Sequence, residues 1–376
     1  MSVEPLALRL FSRLLPVLAL TGCTDGDTGT DSGTDSGITL VDGVGCMGVA
    51  DGTEACPAAE DVLPGDLMGG CGSTIVSVTG EGTVHDGNPL TGEPGKTPYC
   101  CYPIRETPPE CDYGRPYLEG GVPRVAAIVD EAHGWVKALG PDVHDLTDAE
   151  RAILTARWTA AALDEHAAVV AFHRVALDLL AAGAPADLVD DTCQAARDEV
   201  HHARLGFGLA GAYAGHTVAP GRFPFQAPIE PSGDLVAIAV AAAREGCVGE
   251  TVATLLAMTA AERAGDPAVR AVLARIAEDE VRHSQLAWRT VGWALSAGGA
   301  PVRAAVAEVF AEVARLGVAV PLRGEAEDSA RLAHHGLLDA AESRAVAARA
   351  VGRVILPMAR RLLGTASWEP EAAFTG

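Results

Sequence analysis

The sequence has few aromatic residues, few basic residues and no long uninterrupted apolar segment. Aromatic residues make up 5% of the 376 positions, so the core must be built mainly from alanine, valine and leucine. Lysine and arginine number 28 against 50 aspartates and glutamates, which leaves a formal net charge of -22. A surface this acidic repels phosphate backbones, which excludes nucleic acid as a partner. A membrane-spanning helix needs about 18 consecutive apolar residues or more, and no apolar run comes near this length. No membrane-spanning helix is therefore predicted.

The first residues have the pattern of an export signal. Arg9 and Arg13 precede a short apolar run at residues 14–20, and small residues follow it. A basic start, a short apolar stretch and small residues at the cleavage position are typical of a signal peptide. We therefore predict that residues 1–22 are removed from the mature protein.

The residues around the cleavage position indicate a lipid anchor. The four residues LTGC, which end at Cys23, resemble the lipobox of bacterial lipoproteins, in which that cysteine is acylated after cleavage. The alternative is an ordinary secretory signal with a chance cysteine. Residue 24 is Thr rather than Asp, so the resemblance implies the bacterial outer membrane, the cell surface or the periplasm. Residues 23–37 form a predicted flexible acidic tether, because residues 24–37 contain no aliphatic or aromatic residue that could be buried.

A cysteine-rich segment follows the tether at residues 38–115. It contains six of the nine cysteines: Cys46, Cys56, Cys71, Cys100, Cys101 and Cys111. No pair is spaced as C-x-x-C and His85 is the segment's only histidine, which argues against a zinc ribbon. We predict a small disulfide-rich domain of loops and β-structure, with three disulfides whose connectivity the spacing does not fix. One strand-like run is expected at residues 74–79.

From about residue 145 the composition becomes alanine-rich and helical. A capping box at Thr147 and Glu150 opens the first of four long helices. The predicted helices cover residues 148–182, 187–213, 234–264 and 267–296. Four prolines in residues 216–233 exclude a helix between the second and the third. Two hairpins joined by one long crossover match a four-helix bundle, which we place at residues 145–300. Two accessory helices, at 302–317 and 337–363, are predicted within residues 301–376.

The second and fourth helices repeat one five-residue frame, D-E-V-x-H. It runs from Asp198 to His202 and again from Asp279 to His283. In each copy Glu and His are three residues apart, so both side chains project from one helix face. One Glu-x-x-His is weak evidence because it arises easily by chance. Two copies at matching places in two hairpins are a specific signal of a metal site, although two solvated surface faces remain the alternative.

A carboxylate-bridged pair of metal ions needs one more glutamate from each of the other two helices. The first helix offers Glu165. The third offers Glu250 and Glu245, and measured spacings do not decide between them. Glu250 is preferred because its face carries small neighbours, such as Ala243 and Gly246, that leave room for metals.

These residues resemble the ferritin-like di-iron carboxylate superfamily, which includes rubrerythrins, bacterioferritins and the bacterial multicomponent monooxygenases. The resemblance covers residues 148–297. It implies a ferritin-like bundle and two iron ions, or one iron and one manganese. The implied metal ligands are Glu165, Glu199, His202, Glu250, Glu280 and His283. Of these, Glu199 and Glu280 are expected to bridge the two ions.

The second frame also looks like the D-E-x-R-H pattern of the monooxygenases. In that family the aspartate orients a metal-bound imidazole, which assigns this role to Asp198 and Asp279 and places Arg282 beside them. Thr254, one turn after the preferred ligand of the third helix, is placed like the threonine that those oxygenases keep beside the metals. His201 departs from the pattern, since it stands where the family has Arg.

Five residues near these motifs are assigned to structure rather than to chemistry. His166 and His173 are expected to be packing or surface residues, and Tyr213 to be part of the core. Cys193 and Cys247 are interpreted as small buried hydrophobic residues, with a disulfide between them as the alternative.

The resemblance implies an exported, lipid-anchored di-iron oxidase, oxygenase or peroxide-reducing enzyme. The alternative is a non-catalytic metal-binding or iron-handling lipoprotein. No nucleotide, flavin or iron–sulfur motif is present in the sequence, so an enzyme of this kind needs an external electron donor. The expected partners are the membrane, that donor and a small-molecule substrate.

Overall fold

The computed structural model of the protein describes residues 4–18, 41–48, 55–59, 62, 75–88, 93–106, 115–119, 122–318 and 330–364. Cys23 and the whole of the predicted tether lie outside these residues. The chain divides into two compact units. The smaller unit comprises Gly29–Asp112 and Leu118–Pro123; the larger comprises Met1–Thr28, Tyr113–Tyr117 and Arg124–Gly376.

The smaller unit is built on one antiparallel sheet. Its four strands are β1 Val41–Gly48, β2 Ile75–Val78, β3 Thr83–Asn88 and β4 Glu93–Glu106. The long strand β4 pairs with each of the other three. A two-residue pairing of β5 Leu118–Glu119 with β6 Val122–Pro123 is also part of this unit. The predicted strand at 74–79 corresponds to β2.

A disulfide between Cys56 and Cys100 stabilises the smaller unit. Cys100 is buried beside Tyr102, whose hydroxyl donates a hydrogen bond of 2.9 Å to the carbonyl of Pro57. Cys46 faces Cys101 in the register of β1 and β4. Cys71 and Cys111 lie outside the described residues. One of the three predicted disulfides is therefore present, and the pairing of the other four cysteines stays a prediction.

The larger unit is mainly helical, as predicted. Helix α2 spans Asp148–Ala181 and begins with the capping box of Thr147 and Glu150. Helix α3 spans Ala186–Ala214 and ends at Gly215, whose φ of 76° suits glycine. Both helices agree with their predicted ranges within a few residues.

The crossover after α3 is non-helical, as its prolines require. It contains β8 Ala219–Pro220, which pairs with β7 Ile128–Val129 from the segment that precedes α2. This short pairing ties the long connection to the segment that precedes α2.

The predicted third helix is interrupted by a π-helical segment. Helix α4 spans Leu235–Ala241, the π segment spans Ala242–Glu250, and α5 continues from Thr251 to Arg263. No local sequence pattern predicts this segment. Its i to i+5 hydrogen bonding changes which residues share a face, which matters at the site described below.

Helix α6 spans Pro267–Leu316 and contains two of the predicted helices. Gly299, with φ 62° and ψ -139°, breaks the helical geometry between them. The break falls between the predicted end of the fourth helix and the predicted start of the accessory helix at 302. The two predicted helices are thus the two parts of α6 on either side of Gly299.

The helices pack closely because glycine and alanine meet at their contacts. A Cβ added to Gly206 on α3 would lie 2.8 Å from the Cβ of Ala162 on α2. A Cβ added to Gly246 of the π segment would lie 2.3 Å from the Cβ of Ala287 on α6. Helix α2 packs mainly on α3, and α4 to α5 pack mainly on α6. These contacts bring four helical segments around one interior.

Shorter elements surround these helices. They are α1 Glu4–Leu18, α7 Ala330–His334, α8 Ala340–Ala350 and α9 Leu356–Leu363, with a second π segment at Val351–Ile355. Helix α1 buries Leu6, Leu10 and Leu14 against α6 and α9. Whether this segment is cleaved as a signal peptide stays a prediction. Among the described helices, none combines the length and apolar character needed to cross a bilayer.

Candidate metal centre

The two D-E-V-x-H frames meet inside the larger unit. Helix α3 supplies Glu199 and His202, and α6 supplies Glu280 and His283. Each of these four side chains is almost completely buried, with at most 5% of its surface exposed. Buried ionisable groups are retained in a core only when partners offset the cost of desolvation. The four side chains therefore form a site rather than two solvated surface faces.

Glu199 and Glu280 each direct one carboxylate oxygen toward each histidine. Oε1 of Glu199 lies 3.1 Å from Nδ1 of His283, and its Oε2 lies 3.5 Å from Nδ1 of His202. Oε1 of Glu280 lies 3.4 Å from Nδ1 of His202, and its Oε2 lies 3.5 Å from Nδ1 of His283. Two ligand atoms at about 2.1 Å from one ion are themselves roughly 3.0 to 3.4 Å apart. The spacing suits two ions with two bridging carboxylates.

Glu165 on α2 and Glu250 at the end of the π segment complete the cluster. Glu165, Glu199, His202 and Glu280 offer ligand atoms within 4.8 Å of one another, and so do Glu250, Glu280 and His283. The structure thus brings all six sequence-predicted ligands together in two groups that share Glu280.

Several buried atoms of this cluster lack hydrogen-bond partners among the described residues. They are Oε2 of Glu199, Nδ1 of His202, Oε1 of Glu250, Oε2 of Glu280 and both ring nitrogens of His283. Buried polar atoms are nearly always satisfied in proteins, so a group of orphans at one place calls for a missing partner. Carboxylate with imidazole is a donor set that iron and manganese accept. The residues present fit a pair of such ions.

The outer nitrogens of the two imidazoles face aspartates, and the pairing crosses between the motifs. Nε2 of His202 lies 3.1 Å from Oδ2 of Asp279 on α6. Nε2 of His283 lies 3.6 Å from Oδ2 of Asp198 on α3. Both aspartates are buried. The hydrogen bond to Asp279 holds Nδ1 of His202 toward the glutamates, which is the orienting role that such partners have at metal sites. Asp198 has the corresponding place beside His283, at a distance too long for a hydrogen bond.

Arg282 connects the two aspartates. Its Nη2 donates to Oδ2 of Asp198 at 2.9 Å and to Oδ1 of Asp279 at 2.5 Å. Gln194 donates a further hydrogen bond to Asp198, and Nε of Arg275 lies 2.9 Å from Asp279. Burial raises the pKa of each aspartate, but these donors and the imidazoles outweigh it and lower both pKa values. Both aspartates therefore stay ionised.

The pKa values of the inner cluster show which protons metal binding has to displace. Burial and the charge of Glu199 raise the pKa of Glu165 well above its usual range; burial and Glu280 do the same for Glu250. Burial lowers the pKa of His202, but Asp279 and the neighbouring glutamates raise it well above 6.5. Metal-free, the site therefore holds protons that dications would replace.

The second imidazole also carries a proton, whereas the pKa values of Glu199 and Glu280 are both lowered. Burial lowers the pKa of His283, and Glu280 and Asp198 raise it well above its usual range. Burial raises the pKa of Glu199, but the two imidazoles outweigh it and lower that pKa to about 2. The central glutamates are thus ionised between two cationic histidines.

Thr254 is buried on α5, one turn after Glu250. Its hydroxyl donates to the carbonyl of Glu250 at 2.6 Å and lies 3.1 Å from the hydroxyl of Ser284. Ser284 follows His283 directly, so the two hydroxyls form a short polar path beside the second group of ligands. The role of Thr254 in proton delivery stays a prediction.

Sequence reasoning missed Arg115 completely. Its side chain is 3% exposed, with Nε 3.6 Å from Oε1 of Glu250 and Nη1 3.7 Å from Oε2 of Glu245. Its guanidinium carbon lies 4.6 Å from the centroid of the Phe172 ring. No local pattern around Arg115 indicates this placement, because the residue comes from the loop segment before the helices.

The π segment explains why Glu245 and Glu250 were both candidates for one ligand position. Residues five apart lie on the same side when hydrogen bonds run from i to i+5, so Glu245 and Glu250 both face Arg115. Glu250 belongs to a ligand group, whereas Glu245 belongs to neither group among the described residues.

The residues assigned to structure mostly behave as expected. His166 packs against Trp135, and His173 is exposed. Tyr213 is buried, and its hydroxyl lies 2.8 Å from Nδ1 of His335. The interpretation of the two cysteines needs correction: Cys247 is buried but Cys193 is exposed, and both are free thiols. An alanine-rich helix does not reveal which face is outward at a single small residue, which explains the error.

A cavity of about 390 Å³ approaches the site from the surface. Its walls include Asp198 and His283, together with Arg282 and Arg289 and with Arg13 of α1. The cavity therefore reaches the outer side of the pair formed by Asp198 and His283.

Comparisons with known protein families, with curated proteins and with solved structures found no match to this chain.

Proposed function

We propose that this protein is an exported, lipid-anchored di-iron protein with a ferritin-like four-helix bundle, acting as an oxidase, oxygenase or peroxide-reducing enzyme. The observation that carries the proposal is the geometry of Glu199 and Glu280, each of which offers one oxygen to each of two histidines.

The charge of the cluster supports two ions rather than one. Glu165, Glu199, Glu250 and Glu280 all belong to the two ligand groups that share Glu280, and carboxylates this close repel one another when they are ionised without cations. Two divalent ions supply four positive charges and satisfy the orphan atoms at the same time. Two iron ions, or iron with manganese, are the preferred occupants because of the mixed carboxylate and imidazole ligands.

Each side chain has a role in the proposed enzyme. Glu165 and His202 would hold one ion, Glu250 and His283 the other, and Glu199 and Glu280 both. A di-iron centre would supply redox chemistry toward oxygen or peroxide. The remaining residues position the imidazoles and transfer protons. Asp198, Asp279 and Arg282 fix the imidazoles. The hydroxyl of Thr254 moves a proton beside Glu250.

The route to the site supports a small substrate. The cavity beside His283 and Asp198 brings solvent to the edge of the centre, and Glu165 is the most exposed ligand, with 24% of its side chain accessible. Electrons for turnover would come from an external donor, since the sequence carries no flavin or iron–sulfur motif.

A second candidate is a non-catalytic metal-binding or iron-handling lipoprotein. The burial of Glu250, Glu280 and His283, whose side chains are at most 5% exposed, favours this candidate because it leaves little room for a substrate at that ion. Turnover separates the two candidates. The enzyme consumes peroxide, or oxygen with an added reductant, and the binding protein holds metal without turnover.

Metal analysis of the purified protein tests the proposal directly. We expect about two metal ions per chain, with near-ultraviolet absorption of an oxo-bridged di-iron centre after oxidation. Glu280→Ala removes a ligand shared by both groups and should lose at least one ion. His173→Ala is the control, since that histidine is exposed on α2 and should leave the metal content unchanged. Equal metal content in the two variants would overturn the ligand assignment.

The proposed location has its own test. Mass spectrometry of the membrane-bound protein should find an acylated Cys23 as the first residue, with residues 1–22 removed. Cys23→Ala should be exported without lipid or remain unprocessed. A protein that keeps α1 and carries no lipid in wild-type cells would contradict both the signal peptide and the anchor.

A further inference from the structure

The two proposed ion positions differ in the charge around them. The first group, with Glu165, offers three carboxylates and one imidazole. In the part of the chain that the structure describes, no lysine or arginine pairs with Glu165. The second group offers only Glu250, Glu280 and His283. Of these, Glu250 already faces the buried guanidinium of Arg115. A cation should therefore bind the first position more strongly.

Arg115 is held at this place by three contacts. Its guanidinium stacks on Phe172 and lies between the carboxylates of Glu245 and Glu250. Gly246 makes room for it, because a Cβ there would lie 2.7 Å from Nη2. Nε and Nη1 have no hydrogen-bond partner among the described residues. The guanidinium is thus fixed near Glu250 without being fully satisfied by it.

We infer that Arg115 is a positioning residue that makes the Glu250 position the weaker of the two, so that the ions bind in order. The inference rests on the proposed dimetal function. The first ion binds with Glu165 and His202 and neutralises much of the charge on Glu199 and Glu280. The second ion then needs Glu250, for which it competes with Arg115.

Glu245 has the opposite role in this arrangement. When Glu250 turns to an ion, Glu245 remains as the acidic partner of Arg115 and compensates its charge. Removing Arg115 therefore strengthens the second position, whereas removing the charge of Glu245 weakens it. The opposite signs distinguish an electrostatic role from a structural one, since a loss of packing would weaken binding in both variants.

Titration with Mn²⁺ without oxygen tests this inference by calorimetry and electron paramagnetic resonance. In the wild-type protein we expect two separate binding steps. The first should give the six-line signal of an isolated Mn²⁺, and the second should remove it through coupling of the two ions. Arg115→Gln should tighten the second Kd by about tenfold while changing the first by less than about twofold. Glu245→Gln should weaken the second Kd by a similar factor.

Two further variants serve as controls. Arg115→Lys keeps the positive charge and should keep the weak second step. Arg197→Gln makes the same charge change at an exposed position on α3, and solvent screening should leave both steps unchanged. If Arg115→Gln does not fold, Glu250→Gln and Glu165→Gln decide. The first should abolish only the weak step, and the second should abolish the tight one.

The outcomes separate this inference from the proposed function. Two equal sites in the wild-type protein would overturn the order of binding, and a second Kd that Arg115→Gln weakens would overturn the role of Arg115. Either result would leave the dimetal centre intact. A tight step that survives in Glu165→Gln and disappears in Glu250→Gln would reverse the assigned order. A wild-type protein that binds no Mn²⁺ would overturn the dimetal centre itself.

Discussion

Asp279 on α6 contacts the imidazole of His202 on α3, with 3.1 Å between Oδ2 and Nε2. The two residues belong to different copies of the D-E-V-x-H frame, and Asp198 and His283 make the reciprocal contact at 3.6 Å. Each aspartate therefore lies beside the histidine of the other helix, and Asp279 holds His202 by a hydrogen bond. The direction of that imidazole depends on the partner helix.

Asp279→Asn should weaken metal binding by about 10- to 100-fold, because the amide no longer accepts the proton of Nε2 in the same way and Nδ1 loses its fixed direction. Competition with a coloured chelator measures the change. Glu278→Gln is the matched control, since this neighbour is 66% exposed and belongs to no ligand group among the described residues. A similar loss in both variants would show that Asp279 has no orienting role.

Metal affinity should rise with pH through the acidic and neutral range. The folded-state pKa values of Glu165, Glu250, His202 and His283 are all raised, so these groups carry protons at pH values where free residues would have lost them. An ion must displace those protons, and raising the pH removes the competition.

Calorimetry in buffers of different ionisation enthalpy measures this proton release directly. We expect at least one proton released for each ion bound near neutral pH. The affinity should fall as the pH is lowered, because more of these four groups then carry protons that an ion must displace. Binding that is independent of pH would mean that the ions do not use these four side chains.

Gly246→Ala should destabilise the larger unit by about 1–3 kcal/mol, because the new methyl group meets Ala287 and Arg115 at less than van der Waals distance. Denaturant unfolding followed by circular dichroism gives the change in free energy. Gly352→Ala is the control, since a Cβ there has no atom within 4 Å. That variant should be neutral or slightly stabilising. Equal effects in both would contradict the close approach of the π segment and α6.

Replacing the disulfide of Cys56 and Cys100 with two serines should destabilise the smaller unit by about 2–4 kcal/mol, because the bond closes a long loop in the unfolded chain. Limited proteolysis should cut this unit faster, while the metal content stays unchanged because all six ligands belong to the larger unit. Cys193→Ser, at an exposed free thiol, should change neither. Unchanged proteolysis would make the disulfide unimportant for stability.

Most of the helical architecture was predictable because its signals are local. The capping box at Thr147 and the turns near Pro185 and Pro267 fixed the helix limits within a few residues. The strict three-residue spacing of Glu and His in both frames predicted four of the six clustered side chains. Such features depend on neighbours within one or two turns, which the sequence shows directly.

The sequence could not decide features that depend on contacts between distant segments. The choice between Glu245 and Glu250 stayed open because an α-helical reading places them on different faces, whereas the π segment turns both toward Arg115. The outward position of Cys193 was missed for a similar reason, since an alanine-rich helix gives a weak indication of its buried face.

The sequence by itself determined that this protein is mainly helical and that two helices each present a glutamate and a histidine on one face. Only the tertiary structure decided that the aspartate of each motif serves the other motif, and that Arg115 lies beside Glu250. The physical reason is the distance along the chain over which each interaction acts. Hydrogen bonding along a helix depends on residues close in sequence, whereas the charge around a buried carboxylate depends on the segments that the fold packs against it.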